Sequence, residues 1–100
     1  MSAVHIDQGV YEYLKHAGAR LLDVRTPAEY IQGHIPGSTN IPFHALDDVE
    51  FIVESKEDPL YVYCHTGVRS RMAVDQLREM GYRNVRNIGG IAAYTGKLAV

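Results

Sequence analysis

The 100-residue chain has no tryptophan, only one cysteine and two phenylalanines, and no large excess of charge of either sign. A single cysteine excludes an internal disulfide. Ten Lys and Arg against twelve Asp and Glu leave a net charge of −2. That balance excludes the basic surface by which a protein recruits nucleic acid or anionic membrane. No stretch approaches the ~20 consecutive apolar residues of a membrane-spanning helix. The opening Met1-Ser2-Ala3-Val4-His5-Ile6-Asp7 lacks the basic and apolar regions of a signal peptide. Together these features point to a reducing cytoplasm. His5, His16, His34, His44 and His65 show no metal-ligand spacing, so no metal is expected. No carboxylate pair suggests glycosidase chemistry.

What is present is an alternation of short apolar strands and helical segments. There is no internal repeat, low-complexity run or linker, so one domain is expected over residues 1–100. Val4–Ile6 is a candidate opening strand. Asp7 is placed to cap a helix over about 8–17, with Val10, Tyr13, Leu14 and Ala17 on one face and Gly18 as its stop. Arg20–Arg25 reads as a buried strand. Thr26-Pro27-Ala28-Glu29 has the form of a capping box with proline at the first helical position. A strand over Ser38–Ile41, a helix over about 44–53 and a strand over Leu60–Cys64 follow. The chain closes with a helix over Ser70–Met80, a strand over Val85–Ile88, a Gly89-Gly90 turn and a last short helix. Such alternation predicts an α/β fold: a mostly parallel central sheet of about five strands with helices on both faces, three layers in all. In such sheets the site lies at the carboxyl ends of the strands. Cys64 ends one strand and Asp23–Arg25 another, so both are expected to border one crevice.

Cys64 is the most informative residue. Strand, cysteine, the short loop His65-Thr66-Gly67-Val68-Arg69-Ser70 and a helix start form an anion cradle. Successive backbone N–H groups turn inward, and the helix dipole adds positive potential. A thiol placed there ionises more easily than one at the free value of ~8.5. Gly67 supplies the backbone freedom to turn the loop. Arg69 closes it with paired donors for an oxyanion, the alternative being a bridge to an acidic neighbour, and Ser70 is the expected N-cap.

The residues that carry the chemistry also carry a likeness. Asp23-Val24-Arg25, Glu29-Tyr30 and the run Gly33 to Pro42 resemble the first signature of rhodanese domains. Cys64 to Ser70 resembles the active-site loop of the single-domain members. Asn87-Ile88-Gly89-Gly90-Ile91 resembles the last signature, with Tyr94 where a tryptophan often stands. The resemblance implies a rhodanese-like fold and sulfurtransferase chemistry without a cofactor. A donor (thiosulfate, polysulfide or a protein persulfide) gives its outer sulfur to Cys64, and the persulfide passes it to a thiophilic acceptor such as cyanide or a thiol. The partners it implies are small sulfur-containing anions and a thiol or sulfur-carrier protein. Cys64 is then the catalytic residue and His65, Thr66, Gly67, Val68 and Arg69 the substrate-binding loop. Asp23, Arg25 and Ser70 are supporting: the aspartate holds the loop, and the arginine pairs with an acid such as Glu29.

Two features refine the expectation. Phosphatases with a related loop separate cysteine from arginine by five residues. Here four, His65 to Val68, separate Cys64 from Arg69. The tighter ring suits a lone terminal sulfur better than a tetrahedral phosphate. Thiosulfate-using members also often carry basic residues after the cysteine and an arginine near position 29. His65, Thr66 and Glu29 make thiosulfate a weaker fit. A non-enzymatic rhodanese-like interaction or regulatory module, and less favourably a phosphatase or arsenate reductase, are the alternatives. His65 is expected to face solvent, and Tyr94 to pack beneath the pocket or line its mouth.

Overall fold

A computed structural model describes residues 5–100. Helix α1 (Ile6–Lys15) leads to β1 (Arg20–Asp23), α2 (Pro27–Gln32) and β2 (Ser38–Asn40). A 3-10 segment (Phe43–Asp48) runs into the single turn α3 (Val49–Ile52). β3 (Leu60–Cys64), α4 (Val68–Glu79), β4 (Val85–Gly90) and a 3-10 turn (Ile91–Ala93) complete the chain. The strands form one parallel sheet in the order β2-β1-β3-β4, four strands among the described residues where about five were expected. The missing strand is the one expected at Val4–Ile6. Val4 lies outside the described residues, and Ile6 opens α1.

The three-layer arrangement follows from strand alternation. Leu22 and Val24 of the first strand segment, and Leu60, Val62 and Cys64 of β3, turn to one face. There they pack with Leu46, Val49 and Val53 and with Ala73, Val74 and Leu77 of α4. Leu21, Tyr61 and Tyr63 turn to the other face and pack with Ile6 and Val10 of α1 and with Ile88. Every residue of β3 is buried, as a central strand covered on both sides requires.

Several boundaries differ from the sequence reading, each for a local reason. α1 starts at Ile6 because His5, not Asp7, caps it: His5 Nδ1 accepts the Asp7 amide at 3.1 Å. The Asp7 carboxylate instead accepts from the backbone and hydroxyl of Thr95 at 3.0 and 2.6 Å. The buried face of α1 is Ile6, Gly9 and Val10, with Tyr13 half-buried, whereas Leu14 and Ala17 are exposed. Gly9 causes the roll, since any Cβ there would collide with Ile88 of β4. The helix expected over 44–53 is broken by the non-helical Ala45 (φ −124°, ψ 31°). Gly89 and Gly90 stay in β4 and do not form a separate turn. Pairing with β3 slips between Val62 and Tyr63, so that Asn87 faces Val62 and Gly89 faces Tyr63. The extra residue, Ile88, makes a bulge, and Gly89 takes it up at φ +104°.

Candidate active site

The loop after β3 is shaped by two glycines, Gly67 within it and Gly90 at the end of β4. Gly67 adopts the left-handed conformation (φ +101°, ψ −6°) and is itself the N-cap of α4. Gly90 lies opposite Cys64, and a side chain there would collide with the His65 carbonyl oxygen and lie 2.5 Å from Thr66 Cα. The loop can therefore fold down onto β4 only because position 90 has no Cβ.

Cys64 is buried, with 1% of its surface exposed. Burial is not isolation, because the main chain turns toward it. The Gly67 amide donates to Sγ at 3.0 Å, and the amides of Thr66 and Ser70 are directed at the same atom. Desolvation pushes the thiol pKa up, but the Ser70 hydroxyl and those three amides outweigh it and hold the pKa below its ordinary value. The expected ring of inward amides is present.

Ser70 does not cap α4. The helix begins two residues earlier, and Ser70 is buried inside its first turn. Its hydroxyl lies 3.5 Å from Sγ and 2.7 Å from Asn87 Oδ1. One hydroxyl carries one proton, so Ser70 donates to Asn87 while Cys64 is a thiol and can turn to Sγ when the thiolate forms. Asn87 cannot be turned over, because its Oδ1 also accepts from the Gly89 amide at 3.0 Å while Nδ2 donates to Gly67 O at 3.3 Å. Asn87 thus ties β4, Ser70 and the turn of the loop together. Sequence reasoning placed Asn87 in the last signature but gave it no role. A polar residue two before a Gly-Gly pair on a strand was the available signal.

Arg25 and Arg69 each pair with an acid, but Arg25 does not take Glu29. Asp23 does not hold the Cys64 loop. Its carboxylate accepts from Arg25, from the backbone at 2.9 Å, from Nε at 3.1 Å and from Nη2 at 2.7 Å. Arg25 therefore pairs with Asp23, not Glu29, and Nη2 also donates to Gly33 O at 2.7 Å. Glu29 completes the predicted capping box with Thr26. It also grips Arg69 through two parallel bonds of 2.8 and 3.0 Å. Arg69 thus points at a carboxylate of α2 and does not stand free over the loop. Its bonds, then burial, then Thr26 set the Glu29 pKa, and the net effect lowers it to about 2.

His65, Thr66 and Val68 are exposed, and Gly67 and Arg69 are partly so. His65 O accepts the Ala92 amide at 3.1 Å, which pins the loop to the segment after β4. Beside the loop lies an open cleft of about 390 Å3 walled by Arg25, Glu29, His65, Ile91, Ala92 and Leu98. Arg25 and His65, which follow β1 and β3, both wall this cleft, whereas Cys64 and Asp23, expected to border it, are buried behind its wall. Tyr94 packs against the α1-side core and is not part of the cleft wall. Among the described residues no three His, Cys, Asp or Glu side chains converge as metal ligands, and no helix is long and apolar enough to cross a membrane.

A parallel sheet, a glycine-shaped loop and a cysteine facing inward amides describe the site without naming its lineage. The sequence model of the rhodanese-like domain matches residues 7–97. The chain belongs to the rhodanese-like family. The thiosulfate sulfurtransferase PspE of Escherichia coli K12 is 40% identical over 76 residues, covering 75% of this chain and 73% of that protein. A sulfurtransferase of Allochromatium vinosum is 39% identical over 75 residues, covering 74% of this chain and 69% of its own length. A solved structure of an E. coli rhodanese with anions superposes with a TM-score of 0.76 at 35% identity, covering 81% of this chain and 96% of that one. In this rhodanese-like chain the signatures at Asp23–Arg25, Cys64–Ser70 and Asn87–Ile91 meet at one end of the sheet.

Proposed function

We propose that the chain is a sulfurtransferase that carries sulfane sulfur on Cys64. The observation that carries this reading is the buried Sγ held at 3.0 Å by the Gly67 amide inside a ring of main-chain donors. Its relatives' names support the reaction class. A thiolate attacks the outer sulfur of the donor, forming the Cys64 S–S bond. With thiosulfate, the donor's own S–S bond breaks and its electron pair leaves on sulfite. Charge balances: one negative charge from the thiolate and two from thiosulfate become one on the persulfide and two on sulfite. The amides of Thr66, Gly67 and Ser70 hold the new terminal charge as an oxyanion hole would. Cyanide or a thiol then removes the outer sulfur and restores the thiolate. Ionisation of Cys64 has two competing consequences. A lower pKa makes sulfur a better leaving group and a weaker nucleophile, so a moderate depression serves both half-reactions.

A ring this narrow admits one sulfur atom more readily than a tetrahedral group. The donor is thiosulfate, a polysulfide or a protein persulfide, and the acceptor cyanide or a thiol, including that of a sulfur-carrier protein. Incubation with each donor followed by intact-mass measurement should add one sulfur that dithiothreitol removes. Cys64→Ala should abolish the adduct and thiosulfate:cyanide turnover together. No adduct from any donor, or p-nitrophenyl phosphate hydrolysis lost in Cys64→Ser, would overturn the proposal.

A further inference from the structure

Two arginines stand near the sulfur site, and neither offers a free charge. Arg25 is matched by Asp23 at 2.7 Å, and Arg69 by Glu29 at 2.8 Å. The four side chains sum to zero formal charge. The loop between Cys64 and Arg69 adds no Lys or Arg. An oxyanion that sought Arg69 would have to displace a carboxylate already held on two sides. Arg69 donates two parallel bonds to Glu29, and Thr26 supplies its amide at 3.0 Å and its hydroxyl at 3.1 Å. Fork-to-fork pairing of this kind is the strong form of the arginine–carboxylate contact. The side chains of the pair are 34% and 33% exposed, so water and salt screen them only in part.

Glu29 also lines the cleft of about 390 Å3 beside the loop. Across that cleft the wall is apolar: Ile91, Ala92 and Leu98. A donor resting there meets carbon on one side and a neutralised ion pair on the other. That lining, in which Gln32 and His65 are the remaining polar side chains, suits the organic portion of a thiol compound and offers a compact dianion no unpaired arginine or lysine.

We propose that Glu29 sets the donor class of this site. By occupying Arg69 it disfavours doubly charged oxyanions such as thiosulfate and favours low-charge organic persulfides, R–S–SH, with R in the adjoining cleft. The proposal rests on sulfur transfer at Cys64. Charge at the moment of attack makes the difference. With thiosulfate, two negative charges approach the thiolate with no unpaired arginine to offset them. With R–S–SH, the thiolate attacks the outer sulfur, the donor S–S bond breaks with its electron pair on R–S⁻, and the persulfide proton passes to that thiolate. One negative charge enters and one remains.

The test compares sulfur loading by intact mass from thiosulfate and from the hydropersulfide of 2-mercaptoethanol, which is uncharged when protonated. Glu29→Gln is the informative variant, because glutamine retains the capping-box contact while losing the charge. The native protein should load faster from the hydropersulfide. Glu29→Gln should raise the thiosulfate-to-hydropersulfide rate ratio by about tenfold or more, mainly through KM for thiosulfate, since like charges brought together at a binding site are strongly penalised. The gain should shrink as salt rises. Arg69→Gln leaves Glu29 unpaired and should move the ratio the opposite way. Faster loading of the native protein from thiosulfate, or an unchanged ratio in a folded Glu29→Gln protein, would overturn the proposal while leaving sulfur transfer at Cys64 intact. Loading from neither donor would remove both.

Discussion

Asp23→Asn is the sharpest stability test, because it removes one charge from a pair that water barely reaches. The side chain of Asp23 is fully buried, and that of Arg25 is 6% exposed. In the native protein the guanidinium has two acceptors, the Asp23 carboxylate and Gly33 O. Asparagine keeps an acceptor for the Arg25 amide but leaves the guanidinium charge uncompensated. Breaking a buried pair from one side costs about 3–5 kcal/mol. Against a total of about 5–15 kcal/mol for a domain of this kind, the variant should still fold, but only marginally. With a urea m-value of about 1.5 kcal/mol/M, the midpoint should fall by about 2–3 M. The double variant Asp23→Leu, Arg25→Met separates lost charge from lost packing. It removes both charges and retains apolar volume under Tyr63, so it should recover part of the loss. Recovery should stop about 2 kcal/mol short, because Gly33 O loses its donor and the backbone amide of residue 25 its acceptor. Urea unfolding followed by circular dichroism measures all three proteins. A cost below about 1 kcal/mol for Asp23→Asn, or a double variant less stable than the single one, would refute the reasoning.

Two further outcomes follow from the site. Gly90→Ala forces a Cβ against the backbone of His65 and Thr66, so the loop must lift. Stability should drop by about 1–3 kcal/mol, and iodoacetamide should alkylate Cys64 with a pH midpoint shifted upward, because the amides retreat from Sγ. The Glu29–Arg69 pair has an acid signature. Arg69, against partial burial, holds the Glu29 pKa at about 2, below its ordinary 4.5. A depressed carboxylate stabilises the fold above its unfolded pKa and loses that contribution as pH falls through the folded value. Native protein should therefore exceed Glu29→Gln by no more than about 1 kcal/mol at neutral pH, given the exposure of the pair. The two urea midpoints should converge between pH 4.5 and 2, the interval between those pKa values.

Local signals carried much of the architecture. The Thr26–Glu29 capping box and the apolar run of β3 depend on neighbours within a few residues, and each lies where the sequence placed it, whereas α1 ends at Lys15 with His16 as its C-cap, before the expected stop at Gly18. Misplaced ends share a different cause. His5 displaced Asp7 as the cap of α1, and Gly67 displaced Ser70 as the cap of α4, because the carboxylate and the hydroxyl found stronger partners far along the chain in Thr95 and Asn87. Distance in sequence hid those partners.

Sequence alone established the order of strands and helices from β1 onward, the likeness to rhodanese domains and the identity of the one thiol at a strand's carboxyl end. Those facts are written in periodicity, turn residues and spacing, which act over short stretches of chain. Which acid neutralises which arginine was settled by folding. Glu29 and Arg69 are 40 residues apart and meet only because the parallel sheet brings α2 and the start of α4 to the same end. Charge pairing depends on distances in space, and 1,3 neighbours such as Asp23 and Arg25 compete with partners that no local pattern reveals.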